Sequence, residues 1–263
     1  MQSMLDKLIS ILVPASHEEL LKRFRNITHR FKSDGSLVTE ADLAMQAYMQ
    51  QALASHWPDY DFLAEEMSLQ QQQGLLVDND KGLWCLDPLD GTSNYAAGIP
   101  YFAVSLALIE QGQVKLGVVY DPVREECFSA IRGQGAWLNG ERLSLKDGQP
   151  STQAGIAIID FKRLPADLAV RLVTEPPYRS QRSFGSVALD WCWMAAARGD
   201  VYLHGQQNIW DYAAGQLVFE EAGGYSSTLQ GETVFSHQLE PRSAVGAITK
   251  TLFDEWYGYL NRN

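Results

Sequence analysis

Two aspartates three residues apart, Asp87 and Asp90, stand in the segment Trp84-Cys85-Leu86-Asp87-Pro88-Leu89-Asp90-Gly91-Thr92, directly after a short apolar run. Pro88 stiffens the exit from that run and Gly91 permits a sharp turn. Both carboxylates and the Leu89 carbonyl can therefore converge on one point, an oxygen-rich anionic site of the kind that suits Mg²⁺. Taken alone, the fragment is better described as a solvated turn, because Asp, Pro and Gly are turn formers. Three other segments shift that balance. Phe62-Leu63-Ala64-Glu65-Glu66 delivers paired acids from the end of an apolar run. Val38-Thr39-Glu40-Ala41-Asp42 opens a helix, with Thr39 and Asp42 in capping-box positions. Trp210-Asp211-Tyr212-Ala213-Ala214-Gly215 puts an acid at another helix start, where it also has an ordinary use in favouring the helix N-terminus. Gly185-Ser186 at a further helix start offers unpaired N–H groups and a positive dipole end to an anion.

The elements that must carry these residues follow from periodicity. Met4, Leu5, Leu8, Ile9 and Leu12 recur at helical spacing, which predicts an amphipathic helix rather than a signal peptide. Ser16 with Glu19 reads as a capping box opening a second helical stretch through Leu20, Leu21 and Phe24. Lys32-Ser33-Asp34-Gly35-Ser36 reads as a turn, residues 40–55 as a helix stopping before Trp57-Pro58, and 70–73 as a polar loop. Strands are predicted at 83–86, 102–109, 114–120 and 126–131, with a hairpin at Leu138-Asn139-Gly140, an antiparallel meander in an α+β half. The polar stretch 146–152 marks a subdomain boundary, dividing the chain into 1–146, carrying most metal ligands, and 147–263. Beyond it, strands at 156–159 and 201–203 alternate with helices at 186–197 and 212–222, the latter capped by Gly223-Gly224, and a strand or turn follows near Tyr225. This second half reads as α/β.

Composition bounds the function. The 263 residues are 46% hydrophobic, enough for a full core. With 21 basic against 32 acidic residues the net charge is −11, which disfavours a grip on nucleic-acid polymers or anionic membranes. Three scattered cysteines, without a Cys-x-x-Cys pair, support no zinc or redox site and suggest a reducing compartment. No run is long enough to cross a membrane, so the expectation is a soluble, cytoplasmic protein.

Over residues 34–224 the four acidic blocks resemble, in the family's order and near its spacing, the inositol monophosphatase family, whose members carry Trp-x-x-Asp-Pro-x-Asp-Gly-Thr and Trp-Asp-x-Ala-Ala-Gly stretches. The resemblance implies a layered αβαβα sandwich like inositol monophosphatase and fructose-1,6-bisphosphatase, and Mg²⁺-dependent, lithium-sensitive hydrolysis of a small soluble phosphate ester by a homodimer. It implies that Glu65, Asp87 and the Leu89 carbonyl hold a first Mg²⁺, that Asp87, Asp90 and Asp211 hold a second, and that Glu65 with waters holds a third. Thr92 and Asp42 resemble the pair that orients the attacking water and takes its proton, and Gly185, Ser186 and Val187 the segment whose N–H groups receive the phosphate. Asp90, Gly91, Thr92, His204 and Asp211 are the further substrate contacts that it implies. Chemistry agrees with this reading. A phosphate dianion repels hydroxide, and five carboxylates in one cleft would repel each other, so cations serve both needs.

The pattern is broken at His204, which stands where inositol-hydrolysing members place a glutamate that contacts ring hydroxyls. Sugar specificity is therefore open, with fructose 1,6-bisphosphate, a 3′-phosphorylated nucleotide, NADP and histidinol phosphate as rival substrates. Arg179 with Lys162 or Arg163 could meet a second anionic group, although solvated or surface-paired side chains are the plainer reading. The rival from another class is a catalytically silent binding or regulatory protein on this fold. For the dimer, the aromatic stretch from Trp191 to Met194 and the loop 181–184 offer an apolar surface, unless the stretch is core.

Overall fold

The computed structural model describes residues 1–24, 29–31, 37–76, 81–146 and 148–262. In chain order the elements are α1 (Gln2–Ser16), a π-helical turn (His17–Leu21), β1 (His29–Phe31), β2 (Leu37–Thr39), α2 (Glu40–His56), β3 (Asp61–Ala64), α3 (Leu69–Leu76), β4 (Leu83–Asp90) and α4 (Thr92–Ala96). Then come β5 (Ala103–Glu110), β6 (Gln113–Asp121), β7 (Glu126–Ile131), β8 (Gly135–Leu138) and β9 (Glu141–Leu143). After a single 3₁₀ turn (Thr152–Ala154) follow β10 (Ile156–Asp160), α5 (Ala166–Thr174), β11 (Ser180–Arg182), α6 (Val187–Ala195), β12 (Val201–Gln207), α7 (Ile209–Glu221), β13 (Tyr225–Ser227), β14 (Arg242–Ala247) and α8 (Lys250–Leu260).

Two large sheets organise these elements. The first runs β3-β4-β5-β6-β7-β8-β9, parallel only between β3 and β4. The second runs β11-β10-β12-β14-β13, with β10 parallel to both neighbours and β14 antiparallel to β12 and β13. Alternation along each strand decides which core a side chain joins. In β4, Trp84 and Leu86 pack with Leu5, Leu8, Leu12, Met45 and Met49 of α1 and α2. Leu83 and Cys85 face the other way, into the core shared with α6, α7 and the second sheet. Helices α5 and α8 cover that sheet's far side, through Leu168, Leu172, Leu252 and Trp256. The order is thus helices, sheet, helices, sheet, helices.

Several local readings change in the folded chain. Ser16 caps nothing: its backbone is helical and its hydroxyl donates to the Leu12 carbonyl at 2.7 Å, so α1 runs on into the π turn instead of restarting. The polar run 70–73 lies inside α3, where Gln72 is buried and its amide donates to the carbonyls of Ala64 and Glu65 at 3.0 and 3.2 Å. A tertiary partner turns an apparent loop into a helix. Trp191 and Met194 are fully buried inside the chain and provide no surface for a second copy; of that stretch only Trp193 is partly exposed, against Tyr101 and Phe184. The turn read at residues 32–36 lies outside the described residues.

Candidate active site

Strand β4 ends in a bulge. Its register with β5 shifts between Asp87, opposite Ser105, and Asp90, opposite Ala103. An extra residue accommodates Pro88, which has no N–H for the ladder, and re-aims the two aspartates. Gly91 follows at φ +94°, where a Cβ would stand 3.0 Å from the Tyr101 carbonyl oxygen and 3.3 Å from the Phe102 Cα. A side chain is excluded there by both conformation and space. Because β3 is parallel to β4, Glu65 leaves β3 at the same edge, its N–H donating to the Leu86 carbonyl at 3.2 Å. The buried Gln72 amide pins the Glu65 carbonyl from behind.

Helix N-termini meet this strand edge. Asp42 closes a capping box at the start of α2, its carboxylate accepting from the Thr39 N–H at 2.8 Å. Asp211 does the same for α7, with the Asn208 N–H donating to Oδ2 at 2.8 Å. Asp90 Oδ2 accepts from the Ser186 hydroxyl and the Ala188 N–H, each at 2.6 Å, which ties the start of α6 to the end of β4. Three positive dipole ends thus approach a group of carboxylates. Asn94 of α4 closes the arrangement, its amide donating to the carbonyls of Tyr101 and Phe184 at 2.9 and 2.7 Å.

The result is a cavity of about 450 Å³. Of the residues singled out in the sequence, Glu65, Asp87, Leu89, Asp90, Gly91, Thr92, Gly185, Ser186, Val187, His204 and Asp211 line it. Asp42 does not, and lies behind Thr92, whose hydroxyl is 3.1 Å from Asp42 Oδ1 and 2.9 Å from the Leu89 carbonyl oxygen. Lys162 and Arg163 line the cavity, whereas Arg179 and Arg182 do not. Sequence reasoning missed Asp160, Asn94 and Asp190 in the lining. The signal for Asp160 was present, since β10 is an apolar strand ending in an acid, as β4 is.

Electrostatics are unbalanced at the carboxylate end. Burial pushes the Asp87 carboxyl well above its ordinary range, and the charges of Glu65, Asp90 and Asp211 push it further. Asp211 rises for the same reasons, burial first and then Asp90 and Glu65, with the Asn208 N–H and Arg163 opposing. Asp90 is raised to about 6 by burial, against hydrogen bonds from Ser186, Ala188 and Val187. Asp42 is likewise raised to about 6 by burial, against the Thr39 and Thr92 hydrogen bonds. All donors at this end are hard oxygens: Oδ1 of Asp87 accepts from the Leu89 N–H at 3.0 Å, and Oδ2 of Asp90 and of Asp211 accept the helix N–H groups already described. This donor set fits a hard divalent cation. The side chains face one cavity without closing around a point: among the described residues no three acidic, His or Cys side chains form a ready-made metal cluster.

The chain belongs to the inositol monophosphatase family, whose model matches residues 2–258. Among its relatives, Nus factor SuhB of Pasteurella multocida is 35% identical over 205 residues, covering 76% of this chain and 74% of that protein. Inositol-1-monophosphatase of Mesorhizobium japonicum is 30% identical over 250 residues, covering 87% and 88%. The solved structure of an IMPase/NADP phosphatase complexed with Mg²⁺ and phosphate superposes with a TM-score of 0.86 at 26% identity, over 99% of this chain and 96% of that one.

Proposed function

We propose that this chain is a Mg²⁺-dependent phosphatase that hydrolyses a small phosphate monoester to an alcohol and inorganic phosphate. The observation that carries the reading is the convergence of Glu65, Asp87, Asp90 and Asp211 on one cavity, with the Thr92–Asp42 pair directly behind it. Glu65, Asp87 and the Leu89 carbonyl, together with Asp90 and Asp211, would hold Mg²⁺, in two or three ions. Bound there, Mg²⁺ supplies charge neutralisation for the phosphate and acidifies the attacking water.

The chain's own residues do the rest. Thr92 Oγ1 accepts a proton from the attacking water while its own proton passes to Asp42 Oδ1, 3.1 Å away. An aspartate held at about 6 is a base matched to neutral pH, far better than one at the ordinary value. Backbone N–H groups at Gly91–Thr92 and around Gly185–Val187 orient the phosphate. Residues 1–146 supply the metal ligands other than Asp211 together with the Thr92–Asp42 pair, and 147–263 supply the second wall; we read these as two subdomains.

Substrate choice is set at the His204 wall. A histidine offers fewer acceptors to vicinal hydroxyls than the glutamate of inositol-hydrolysing relatives, so inositol 1-phosphate should be turned over weakly and another monoester or bisphosphate better. The experiment is phosphate release from a panel of biological monoesters with MgCl₂ and a chelator control. No release from any of them would remove the reading. A regulatory role is the second reading, favoured by the relatives named Nus factor SuhB. It predicts that substitution of Asp90 or Asp42 leaves the cellular phenotype of a deletion complemented. No helix among the described residues is long and apolar enough to cross a membrane, consistent with action on a soluble substrate. Assembly as a homodimer is part of the same proposal, and sedimentation near the 29.4 kDa of one chain would refute it.

A further inference from the structure

Opposite the carboxylates, the cavity is built from a single turn. Strand β10 ends at Asp160, and in the register of β10 with β12 Asp160 lies directly beside His204. The Asp160 carboxylate has three partners. Its Oδ1 accepts from the Lys162 N–H at 2.8 Å, and its Oδ2 lies 3.2 Å from His204 Nε2 and 3.5 Å from Arg163 Nη1. His204 Nδ1 accepts from the Gln206 N–H at 3.3 Å, so the ring carries its proton on Nε2, toward Asp160. The imidazole is 1% exposed and its polar edge is spent on Asp160, though without the alignment of a good hydrogen bond.

The turn that follows is held from below by Gly205. A Cβ there would stand 1.8 Å from the Arg163 carbonyl oxygen and 2.8 Å from the Leu164 N. Only glycine lets β12 accept the turn so closely. Lys162 and Arg163 are thereby set at the cavity rim, where they are its only Lys or Arg residues among the described ones. Arg163 is half-engaged by Asp160, while Lys162 makes no ion pair among the described residues.

An ammonium with no ion pair among the described residues and a half-paired guanidinium, on one turn of the same cavity, are placed to take an anion on the far side of the substrate. We propose that Lys162 and Arg163 form a second-anion subsite, so that the preferred substrates are phosphate esters whose alcohol carries another phosphate or a carboxylate. Asp160 is the positioning residue of this subsite, holding the turn through the Lys162 N–H and the Arg163 guanidinium. This inference rests on the phosphatase reading of the same cavity and names the substrate class within it.

The test compares matched pairs that differ only in the second anion. Fructose 1,6-bisphosphate is set against fructose 1-phosphate, and 3-phosphoglycerate against glycerol 3-phosphate, each by kcat/KM with MgCl₂. The wild type should prefer the doubly anionic member of at least one pair by on the order of tenfold, as expected for a charge-assisted contact. The pair that shows it distinguishes a phosphate subsite from a carboxylate subsite. Lys162→Ala and Arg163→Ala should each lower the preference, Lys162→Glu should abolish it, and Lys162→Arg should keep most of it. Asp160→Asn should raise KM for the doubly anionic member more than it lowers kcat, a split that a general loss of folding would not give. Equal kcat/KM within both pairs, or a preference that survives Lys162→Glu combined with Arg163→Glu, overturns the subsite. If neither these four compounds nor any member of the wider monoester panel releases phosphate, the phosphatase reading fails. The subsite is then read by calorimetry of the same compounds, where equal affinity within both pairs overturns it and tighter binding of a doubly anionic member upholds it.

Discussion

The two walls of the cavity solve opposite electrostatic problems. On one, Glu65, Asp87, Asp90 and Asp211 line the same end of the cavity beside helix N-termini, and burial raises the three aspartates, with the charges of neighbouring carboxylates adding to the rise of Asp87 and Asp211 and hydrogen bonds and Arg163 opposing it. On the other, Asp160 is drawn below its ordinary value, first by the His204 contact and then by the Lys162 N–H and Arg163, against the cost of burial. On the proposed reading, the first wall takes its cations from solution. The second pairs its acid with His204 and Arg163, and its Lys162 makes no ion pair among the described residues. Both walls end apolar strands in an aspartate, so the difference lies in what the fold brings against each carboxylate. A carboxylate without a protein cation beside it is available to a metal, whereas one with such a cation is committed to structure.

Ways to break this contrast begin with the largest effect. Asp87→Asn or Asp90→Asn removes one charged donor from the first wall and should cost on the order of 10²-fold or more in turnover while the fold persists. Circular dichroism and phosphate release measure the two, and full turnover by Asp90→Asn in chelator-treated buffer would end the assignment. Asp42→Asn should lose on the order of 10²-fold, as should Thr92→Ala, with non-additive losses in the double variant because the two form one relay. Additive losses would separate them.

The pH dependence of stability sharpens the comparison further. Asp42 and Asp90 are raised to about 6, so between the ordinary aspartate value near 4 and about 6 the folded protein holds more protons than the unfolded chain. The stability slope is then negative. In chelator, the contribution of these two groups is fully present below about pH 4 and lost as pH rises to about 6. MgCl₂ should restore it, raising Tm by roughly 5 °C near neutral pH and by less near pH ~5, where protons compete for the same oxygens. A Tm insensitive to MgCl₂ at neutral pH would contradict the first wall's need for cations. The smallest expected effect is the response to Li⁺, which would enter among Asp87, Asp90 and Asp211 with half the charge and stabilise the leaving oxygen less well. Turnover against LiCl with a NaCl control should show selective inhibition, and coincident curves would argue against this site.

Much of the first wall was legible because its determinants are local. Asp87-Pro88-Leu89-Asp90-Gly91 writes a bulge and a turn into five consecutive residues, and Thr39 with Asp42 writes a helix start into four. Backbone stereochemistry and capping act over a few residues, so the chain order alone specifies them. The strands 83–86, 102–109, 114–120 and 126–131 were readable for the same reason, as apolar runs bounded by turn formers. Helices α5 and α8 and strands β11 and β14 were not drawn from the sequence.

What only tertiary structure decided is pairing across distance. Ser16 and Glu19 have the letters of a capping box, yet packing of α1 carries the helix straight through them, and the buried Ser16 hydroxyl bonds back to Leu12. Gln72 looks like loop until the Ala64 and Glu65 carbonyls supply its partners. Trp191 and Met194 could have faced solvent or core, and the second sheet closes over them. His204 was visible as a departure from a family pattern, but its meaning depends on Asp160, which the sequence places far away and the parallel register of β10 and β12 places beside it. Strand register costs chain entropy that only the assembled sheet and its cores can offset, so no short stretch of sequence contains it.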